Sequence, residues 1–394
     1  MFFDTQNALQ TIDNNLQSLY NIDMQKTLIF GGAFDPPHIE HASMCKRAMQ
    51  QLGIDKLVLV PTVTPPHKSA GFLDFATRCE LLKVAFADFD FVIDDIENER
   101  GQDNYSAITL PVLKQKYGDI VYLIGGDSLE YFDTWYHPEQ IVKACPIAVC
   151  GRDGFDDIGV KSRELQSRFG GEFILVDYVG QDVSSSVVRA KLLMGDDCDE
   201  LDERVKAKID ELHLFKEYSH MAKQLESYQT DELFEHSKAV VLTAMELNSR
   251  HNLKQDFTKT FLACFLHDNA KQRPSVDGLD VPSDAIGTPV LHQFLGAEKA
   301  RRDFGIEDKD VLDAIRYHTT AKADMTMLEK LVYTADSLSF DRMYEPIPRL
   351  REIAMRNFDE GFKAVLGYTY DKVTKSGKPM HPLTKQAVEF YLDK

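Results

Sequence analysis

Cysteine is scarce in this chain. Six cysteines occur among 394 residues, and no two of them form a CxxC pair, which argues against a disulfide framework or a cysteine-based zinc site. Long apolar runs are also missing, since none approaches the roughly 18 residues that a membrane-spanning helix needs. The N-terminal residues lack the basic segment of a signal peptide. We therefore expect free thiols, no membrane association and a cytoplasmic location.

Positive charge is the second deficit. Lysine and arginine number 45 against 63 aspartates and glutamates, which gives a formal net charge of -18. A surface this acidic repels a nucleic-acid backbone, so nucleic acid is not an expected partner. Hydrophobic residues make up 43% of the chain, as in globular proteins, and the length predicts two or three domains. The sequence leaves open whether the chain forms a homo-oligomer.

The first half of the chain alternates short apolar runs with helical stretches, between residues 26 and 179. This alternation indicates a parallel sheet that is covered on both faces. The expected fold is an α/β doubly wound parallel sheet, whose ligands bind at the carboxyl ends of the strands. The predicted strands cover residues 27–34, 56–62, 91–97, 120–126, 147–152 and 173–178.

The second half, from about residue 200, shows only helical spacing of its apolar residues. We therefore expect an N-terminal extension over residues 1–25, the α/β domain over residues 26–215 and an all-α helical bundle over residues 220–394. The predicted helices cover residues 203–225, 231–251, 257–270, 290–304, 308–318, 325–338, 346–365 and 382–393.

One segment combines glycines and histidines at the end of the first predicted strand. The sequence GGAFDPPHIEH, residues 31–41, follows this strand and opens a helix. Glycines let the backbone approach a phosphate closely, and a helix N-terminus offers free N–H groups and a positive dipole. His38 and His41 are three residues apart, so both face one side of the first helical turn. The segment therefore predicts a site for a triphosphate and a departing pyrophosphate.

This segment resembles the GGxFDPxHxGH motif of nicotinate-mononucleotide adenylyltransferases, which belong to the nucleotidyltransferase superfamily with its Rossmann-like fold. The resemblance implies in-line attack by a pyridine mononucleotide phosphate on the α-phosphorus of ATP, with Mg2+ accompanying the ATP and no covalent intermediate. Further segments follow in the family's order: PPHK at 65–68, ER at 99–100, NYS at 104–106, IGGDS at 124–128 with Trp135, GR at 151–152 and VSSSVVR at 183–189.

The resemblance assigns roles to the matched residues. It implies His38, His41, Lys68 and Arg189 as catalytic residues. ATP binding is implied for Gly31, Gly32, Phe34, His38, His41, Asp127, Ser184, Ser185 and Arg189, and acceptor binding for Tyr105, Trp135 and Arg152.

Three positions depart from the family's pattern. Glu40 replaces a glycine, and we expect its carboxylate to face away from the phosphates. Asn104 and Ile108 stand where the family has a serine and an aspartate of the acceptor pocket. Nicotinate mononucleotide is the predicted acceptor, and the sequence leaves nicotinamide mononucleotide open.

Six ionisable side chains of the helical half lie in apolar sequence. Burying so many of them is costly unless they bind something, and imidazoles with carboxylates suit iron, manganese or zinc. Two such ions can activate water and stabilise the leaving oxygen of a phosphate ester or anhydride. The six residues are His236, His267, Asp268, His292, His318 and Asp336.

This set resembles the HD phosphohydrolase superfamily. Residues 231–393 are similar to bacterial HD-domain proteins that hydrolyse diadenosine tetraphosphate symmetrically to ADP. The resemblance implies that the six residues hold two iron ions, or manganese or another divalent metal, and that Lys271 is a catalytic residue facing the substrate phosphates. The matching segments are HDNAK at 267–271, LHQFLGA at 291–297, AIRYHTT at 314–320 and MHPLTKQAVEFYL at 380–392.

Taken together, the motifs predict a bifunctional enzyme of NAD biosynthesis whose ligands are ATP, nicotinate mononucleotide and diadenosine tetraphosphate. Two alternatives concern the HD domain, which would be a non-catalytic regulatory module or act on another nucleotide phosphate. A third is an adenylyltransferase for phosphopantetheine, which the PPHK segment and Trp135 disfavour.

Overall fold

The structure is a computed structural model. The predicted extension over residues 1–25 and the predicted catalytic Lys68 lie outside its described part. Residues 26–63, 72–100, 104–153, 157–276 and 278–392 are described.

Among these residues the chain divides into two compact units. The second unit takes in the short segment after the first strand, so the division does not follow the chain strictly. The first unit contains residues 26–34, 39–63 and 75–182, and the second contains residues 35–38, 72–74 and 183–392.

A six-stranded parallel sheet forms the centre of the first unit. The strands are β1 (Thr27–Gly32), β2 (Lys56–Pro61), β3 (Phe91–Ile93), β4 (Ile120–Gly125), β5 (Ile147–Arg152) and β6 (Phe173–Gly180). All neighbours run parallel in the order β3-β2-β1-β4-β5-β6. The strand order reverses between β1 and β4, which is where doubly wound folds bind their ligands. The predicted α/β fold is confirmed.

Seven α-helices are described in the first unit, and its central strands β1, β2, β4 and β5 are largely buried. Residues such as Ile29, Val58, Ile124 and Val149 are at most 3% exposed and belong to one apolar core. The helices are α1 (Ile39–Leu52), α2 (Phe75–Ala85), α3 (Ile96–Arg100), α4 (Ser106–Tyr117), α5 (Gly126–Glu130), α6 (Pro138–Ala144) and α7 (Ile158–Phe169).

Every regular element described in the second unit is helical, which confirms the all-α prediction. The α-helices are α8 (Ser185–Met194), α9 (Glu203–Glu211), α10 (Ser219–Tyr228), α11 (Asp231–Arg250), α12 (Phe257–Leu266), α13 (Leu291–Phe304), α14 (Lys309–Tyr317), α15 (Met327–Leu338), α16 (Ile347–Arg356), α17 (Phe358–Lys375) and α18 (Pro382–Leu392). Helix α8 packs on α11, and Lys238 on α11 pairs with Asp196 at 2.7 Å. The second unit therefore includes residues 183–219 together with the later helices, and the domain bounds given by the sequence stay predictions.

Three predicted elements differ from the structure. The strand predicted over 91–97 ends at Ile93, because the Asp94 carboxylate accepts a hydrogen bond from the Ile96 N–H and turns the chain into α3. The helix predicted over 203–225 is two helices. The helix predicted over 346–365 breaks at Asn357, which is extended and caps α17 by accepting from the Glu360 N–H.

Two features expected from the sequence, free thiols and the absence of a membrane-spanning helix, can be compared with the structure. All six cysteines are free. No helix within the described ranges combines the length and the apolar character that crossing a bilayer requires.

Candidate active sites

Asp127, Arg152 and Asp182 meet at the carboxyl ends of three neighbouring strands. Asp127 follows β4, Arg152 ends β5 and Asp182 follows β6. The Arg152 guanidinium lies 2.7 Å from the carboxylate of Asp127 and 2.8 Å from that of Asp182. The side chain of Asp127 is 40% exposed, so this end of the network is open to a ligand or a cation.

His41 is half-buried in the same unit. Its ring centroid lies 5.1 Å from that of Phe34 and 5.8 Å from that of Phe30. Burial, helped by the positive charge of Arg152, lowers the pKa of His41 to about 3. The imidazole is therefore neutral at pH 7, and it can stabilise a phosphate by donating an N–H rather than as a cation.

Phe34 lies in the predicted phosphate-binding segment of residues 31–41, which we call the phosphate cradle. This residue has a left-handed backbone, with a φ of 49°, and its ring lies over Gly32, where an added Cβ would come within 3.1 Å of it. Gly31 faces the Tyr122 hydroxyl, which an added Cβ would meet at 3.6 Å. Glu40, which replaces the family's glycine, accepts a hydrogen bond at 2.7 Å from the Tyr178 hydroxyl on β6.

Arg78 holds the loops that follow β1 and β2. Its buried guanidinium donates to the carbonyl oxygens of Ala33 and Thr62 at 2.7 Å and of Val63 at 3.0 Å. Sequence reasoning missed this residue. The available signal was its place on the apolar face of α2, where residues 78, 81, 82 and 85 are buried. A buried arginine at such a place must satisfy its donors, and here it fixes the cradle loop.

Two of the three predicted acceptor residues, Tyr105 and Trp135, are aromatic side chains near α4 and α6. Tyr105 is 41% exposed and stacks on Tyr136, with the ring centroids 4.5 Å apart. Trp135 instead packs on Phe132 at 5.2 Å, at the edge of the apolar core. Sequence reasoning missed Tyr136, although it adjoins the single tryptophan.

Two serines of the VSSSVVR segment lie at the start of α8 in the second unit. The Ser184 hydroxyl accepts a hydrogen bond from the Val187 N–H at 3.2 Å and so caps the helix. The Ser185 hydroxyl donates to the Pro36 carbonyl oxygen at 3.0 Å. Both hydroxyls therefore have protein partners in addition to the phosphate contacts that the sequence predicts.

Arg189 and His38 are also buried in the second unit. The Arg189 guanidinium forms an ion pair with Asp35 and lies 3.9 Å from the centre of the Phe257 ring. Arg189 is only 1% exposed. A triphosphate could therefore contact Arg189 in one of two ways. Either the guanidinium moves away from Asp35, or the phosphate binds beside the Arg189–Asp35 pair.

The six predicted metal ligands come together in the second unit, although they come from five helices or helix ends. The ligand atoms of His236, His267 and Asp336 lie within 4.8 Å of one another, and so do those of His267, Asp268 and His318. His292 joins them, because its Nε2 lies 3.3 Å from Asp268 Oδ1 and 3.2 Å from His318 Nε2. We call these six residues the HD cluster.

Every histidine of the HD cluster has its Nδ1 held by an oxygen atom. The acceptors are the carbonyl oxygens of Cys264, Pro289 and Ile315 for His267, His292 and His318, and the Asp341 carboxylate for His236. The distances are between 2.7 and 2.9 Å. Such contacts fix the tautomer and orient the ring of a metal-binding histidine. They leave Nε2 as the common ligand atom.

Two further observations fit a divalent metal. His267 Nε2 and Asp268 Oδ1 are buried and have no hydrogen-bond partner in the described part of the chain, as expected for atoms that bind an ion. Burial, and then the nearby His318, lowers the pKa of His292 to about 4, which keeps it neutral as a ligand must be. His236 does not follow this pattern, because hydrogen bonds to Asp336 and Asp341 outweigh the effect of burial and raise its pKa to about 9.

Two basic side chains adjoin the HD cluster. Lys271 Nζ lies 2.6 Å from Asp268 Oδ2, and Arg342 Nη2 lies 2.8 Å from Asp336 Oδ1. Sequence reasoning included Lys271 and missed both Arg342 and Asp341. The signal available was the polar pair DR, which follows the Asp336 helix after one short turn.

Comparison with known proteins shows that two segments of the chain match two different families. Residues 29–191 match the cytidylyltransferase-like family and residues 233–341 match the HD domain. A probable nicotinate-nucleotide adenylyltransferase/Ap4A hydrolase of Mycoplasma genitalium is 26% identical over 89% of this chain and 99% of its own length. A probable nicotinate-nucleotide adenylyltransferase of Aliarcobacter butzleri is 36% identical over 42% of this chain and 87% of its own length. A probable nicotinate-nucleotide adenylyltransferase of Exiguobacterium sibiricum is 34% identical over 42% of this chain and 86% of its own length.

The chain belongs to the nicotinate-nucleotide adenylyltransferase family. In this member of the family an HD domain follows the adenylyltransferase segment, and the alignment with the Mycoplasma genitalium relative spans both parts. The predicted resemblance to a fusion of the two families is confirmed. The roles of individual residues stay predictions, and the geometry above supplies their arrangement.

Proposed function

We propose that the α/β domain transfers the adenylyl group of ATP to nicotinate mononucleotide, giving deamido-NAD and pyrophosphate. The arrangement of Asp127, Arg152 and Asp182 at the ends of β4, β5 and β6 carries this proposal, because it places a basic side chain and an open carboxylate where such folds bind ligands. Mg2+ accompanies the ATP. A cytoplasmic location and nucleotides as small-molecule partners belong to the same proposal.

In this reaction the acceptor phosphate oxygen attacks the α-phosphorus, and the bond from that phosphorus to the β-phosphate oxygen breaks. Neutral His41 donates a hydrogen bond to the phosphate that develops charge, and Arg152 attracts the acceptor phosphate. Catalysis of this type depends on positioning and on stabilising charge rather than on a covalent intermediate. The other proposed phosphate contacts come from His38, Lys68, Ser184, Ser185 and Arg189. The proposed phosphate cradle includes Gly31, Gly32 and Phe34, and the proposed acceptor pocket includes Tyr105 and Trp135.

For the HD domain we propose hydrolysis of diadenosine tetraphosphate, in which one water and one substrate give two ADP. The convergence of six ligand residues around buried atoms without hydrogen-bond partners carries this proposal. A pair of iron ions, or of manganese or another divalent metal, would activate the water and stabilise the leaving phosphate oxygen. The HD cluster would hold the ions, and Lys271 would neutralise charge on the substrate phosphates.

The test uses the purified full chain loaded with iron or manganese. The wild type is expected to convert ATP and nicotinate mononucleotide to deamido-NAD, and to release ADP from diadenosine tetraphosphate. In the double variant His267→Ala, Asp268→Ala we expect synthesis of deamido-NAD to persist and release of ADP to stop. A matched control is His220→Ala, because this histidine is exposed on α10 and lies outside the HD cluster.

Two outcomes would contradict the proposal. If the wild type turns over phosphopantetheine and no pyridine mononucleotide, the transferase assignment is wrong. If diadenosine tetraphosphate stays intact at full metal occupancy, the HD domain is a regulatory module or acts on another nucleotide phosphate, and a panel of nucleotides tests the second case.

A further inference from the structure

Both aspartates of the HD cluster are paired with a basic side chain, and one of these pairs has no part in the function described above. Arg342 Nη2 lies 2.8 Å from Asp336 Oδ1 and 3.3 Å from His236 Nε2. Asp336 and His236 are two of the three residues in one of the metal-ligating groups. The guanidinium is therefore directed at the ligand atoms themselves.

A divalent cation on these two residues would lie within a few ångströms of the guanidinium. Two positive charges at such a distance repel strongly in a buried site. The repulsion is relieved when an anion lies beside both of them, and the planar guanidinium matches the geometry of phosphate oxygens. An arginine at this place therefore suits a site that binds metals and a phosphate compound together.

The backbone around Arg342 is fixed, and its side chain is partly exposed. Arg351 donates to the carbonyl oxygens of Leu338, Ser339 and Arg342 at 2.6 to 2.8 Å, which ties the turn after α15 to α16. The side chain of Arg342 is 26% exposed and that of Lys271, on the other aspartate, is 43% exposed. Both cations can thus reach a ligand that approaches from solvent.

We propose that Arg342 is a phosphate-binding residue of the HD domain. It neutralises Asp336 while the cluster is empty, and it binds a phosphate group of the nucleotide once metal ions occupy the ligand atoms. Lys271 holds the corresponding place on Asp268, so the two cations flank the polyphosphate. The inference rests on the proposed function only in requiring a phosphate compound as the ligand.

The test measures ADP binding by calorimetry to the manganese-loaded full chain. Because the transferase domain can also bind ADP, the relevant binding is the part that is lost in the His267→Ala, Asp268→Ala variant. Arg342→Gln is expected to weaken this binding by about tenfold to a hundredfold, as for the loss of one charge-assisted hydrogen bond. Arg342→Lys should weaken it less, because the charge remains.

The matched control is Arg349→Gln, in the same region of the chain. Arg349 lies on α16, its side chain is 79% exposed and its partner is Glu345 at 3.4 Å, so ADP binding should not change. Manganese affinity, measured by competition with a chelator, should be unchanged or tighter in Arg342→Gln, since a cation that competes for Asp336 is gone. Circular dichroism checks that each variant is folded.

Three results would overturn the inference. ADP could bind equally well to Arg342→Gln, or manganese affinity could fall in step with ADP affinity, which would make Arg342 a structural counter-ion. The manganese-loaded wild type could also bind no ADP at the HD cluster. If instead ADP binding depends on Arg342 but diadenosine tetraphosphate is not hydrolysed, the proposed function fails and the inference stands.

Discussion

The electrostatic state of His41 can be tested directly. Its pKa is lowered from 6.5 to about 3 by burial and then by the charge of Arg152. At pH 5.5 a histidine with an ordinary pKa would be protonated in about ten molecules out of eleven, whereas His41 would be protonated in about one out of 300. We therefore expect the His41 ring to remain neutral across the whole range in which most histidines titrate.

This prediction can be measured by NMR on protein with 15N-labelled histidine. Twelve histidines are present, and the His41→Asn spectrum identifies the signal of interest. His137→Asn is the control, because this exposed residue contacts Glu139 at 2.8 Å and lies outside the proposed site. In Arg152→Gln the pKa of His41 should rise only in part, since burial is the larger cause. A His41 ring that titrates near pH 6.5 in the wild type would falsify the reasoning.

The same shift predicts a dependence of stability on pH. Between pH 6.5 and pH 3 the unfolded chain binds a proton at residue 41 that the folded chain does not, so stability falls as the pH is lowered through this window. The loss from this residue is about 1.4 kcal/mol per pH unit. Urea unfolding of His41→Asn at pH 7 and pH 5 should therefore show a smaller loss than the wild type, by about 2 kcal/mol for the 1.5 units below 6.5. An equal loss in both proteins would contradict the assigned pKa.

Three other substitutions test the packing and the metal site. Asp341→Asn should weaken manganese binding by about tenfold to a hundredfold in a chelator competition, because the Asp341 carboxylate orients the ligand His236. An unchanged manganese affinity would show that Asp341 does not orient this ligand. Gly361→Ala should lower the melting temperature, because an added methyl group would overlap the backbone of the preceding helix. Gly367→Ala on the same helix is its matched control and should be neutral or stabilising by up to about 1 kcal/mol, since its nearest neighbour would be 3.8 Å away. Asp35→Asn should lower the free energy of unfolding, measured in urea, by about 3 to 5 kcal/mol, because the buried Arg189 charge loses its ion-pair partner. The double variant Asp35→Asn, Arg189→Gln should recover much of this stability.

The sequence predicted the order of strands and helices because apolar periodicity is a local property of the chain. It gave the parallel sheet and the helical half, and it missed breaks that a single side chain causes, as at Asp94 and Asn357. The six residues of the HD cluster could be selected for a related reason. Each is an ionisable group within an apolar segment, and that contrast can be read without knowledge of the fold.

Contacts between distant parts of the chain were decided only by the tertiary structure. Arg342 and Asp341 reach His236 across more than 100 residues of sequence, and Arg189 reaches Asp35 across 154. The place of Arg78 on the apolar face of its helix indicates burial, but its partners in the loops after β1 and β2 appear only in the tertiary structure. Periodicity shows which face of an element is buried but not what that face meets. The motifs therefore specified the chemical groups, whereas packing determined which charges are paired, which histidine is neutral and which cations are directed at the metal ligands.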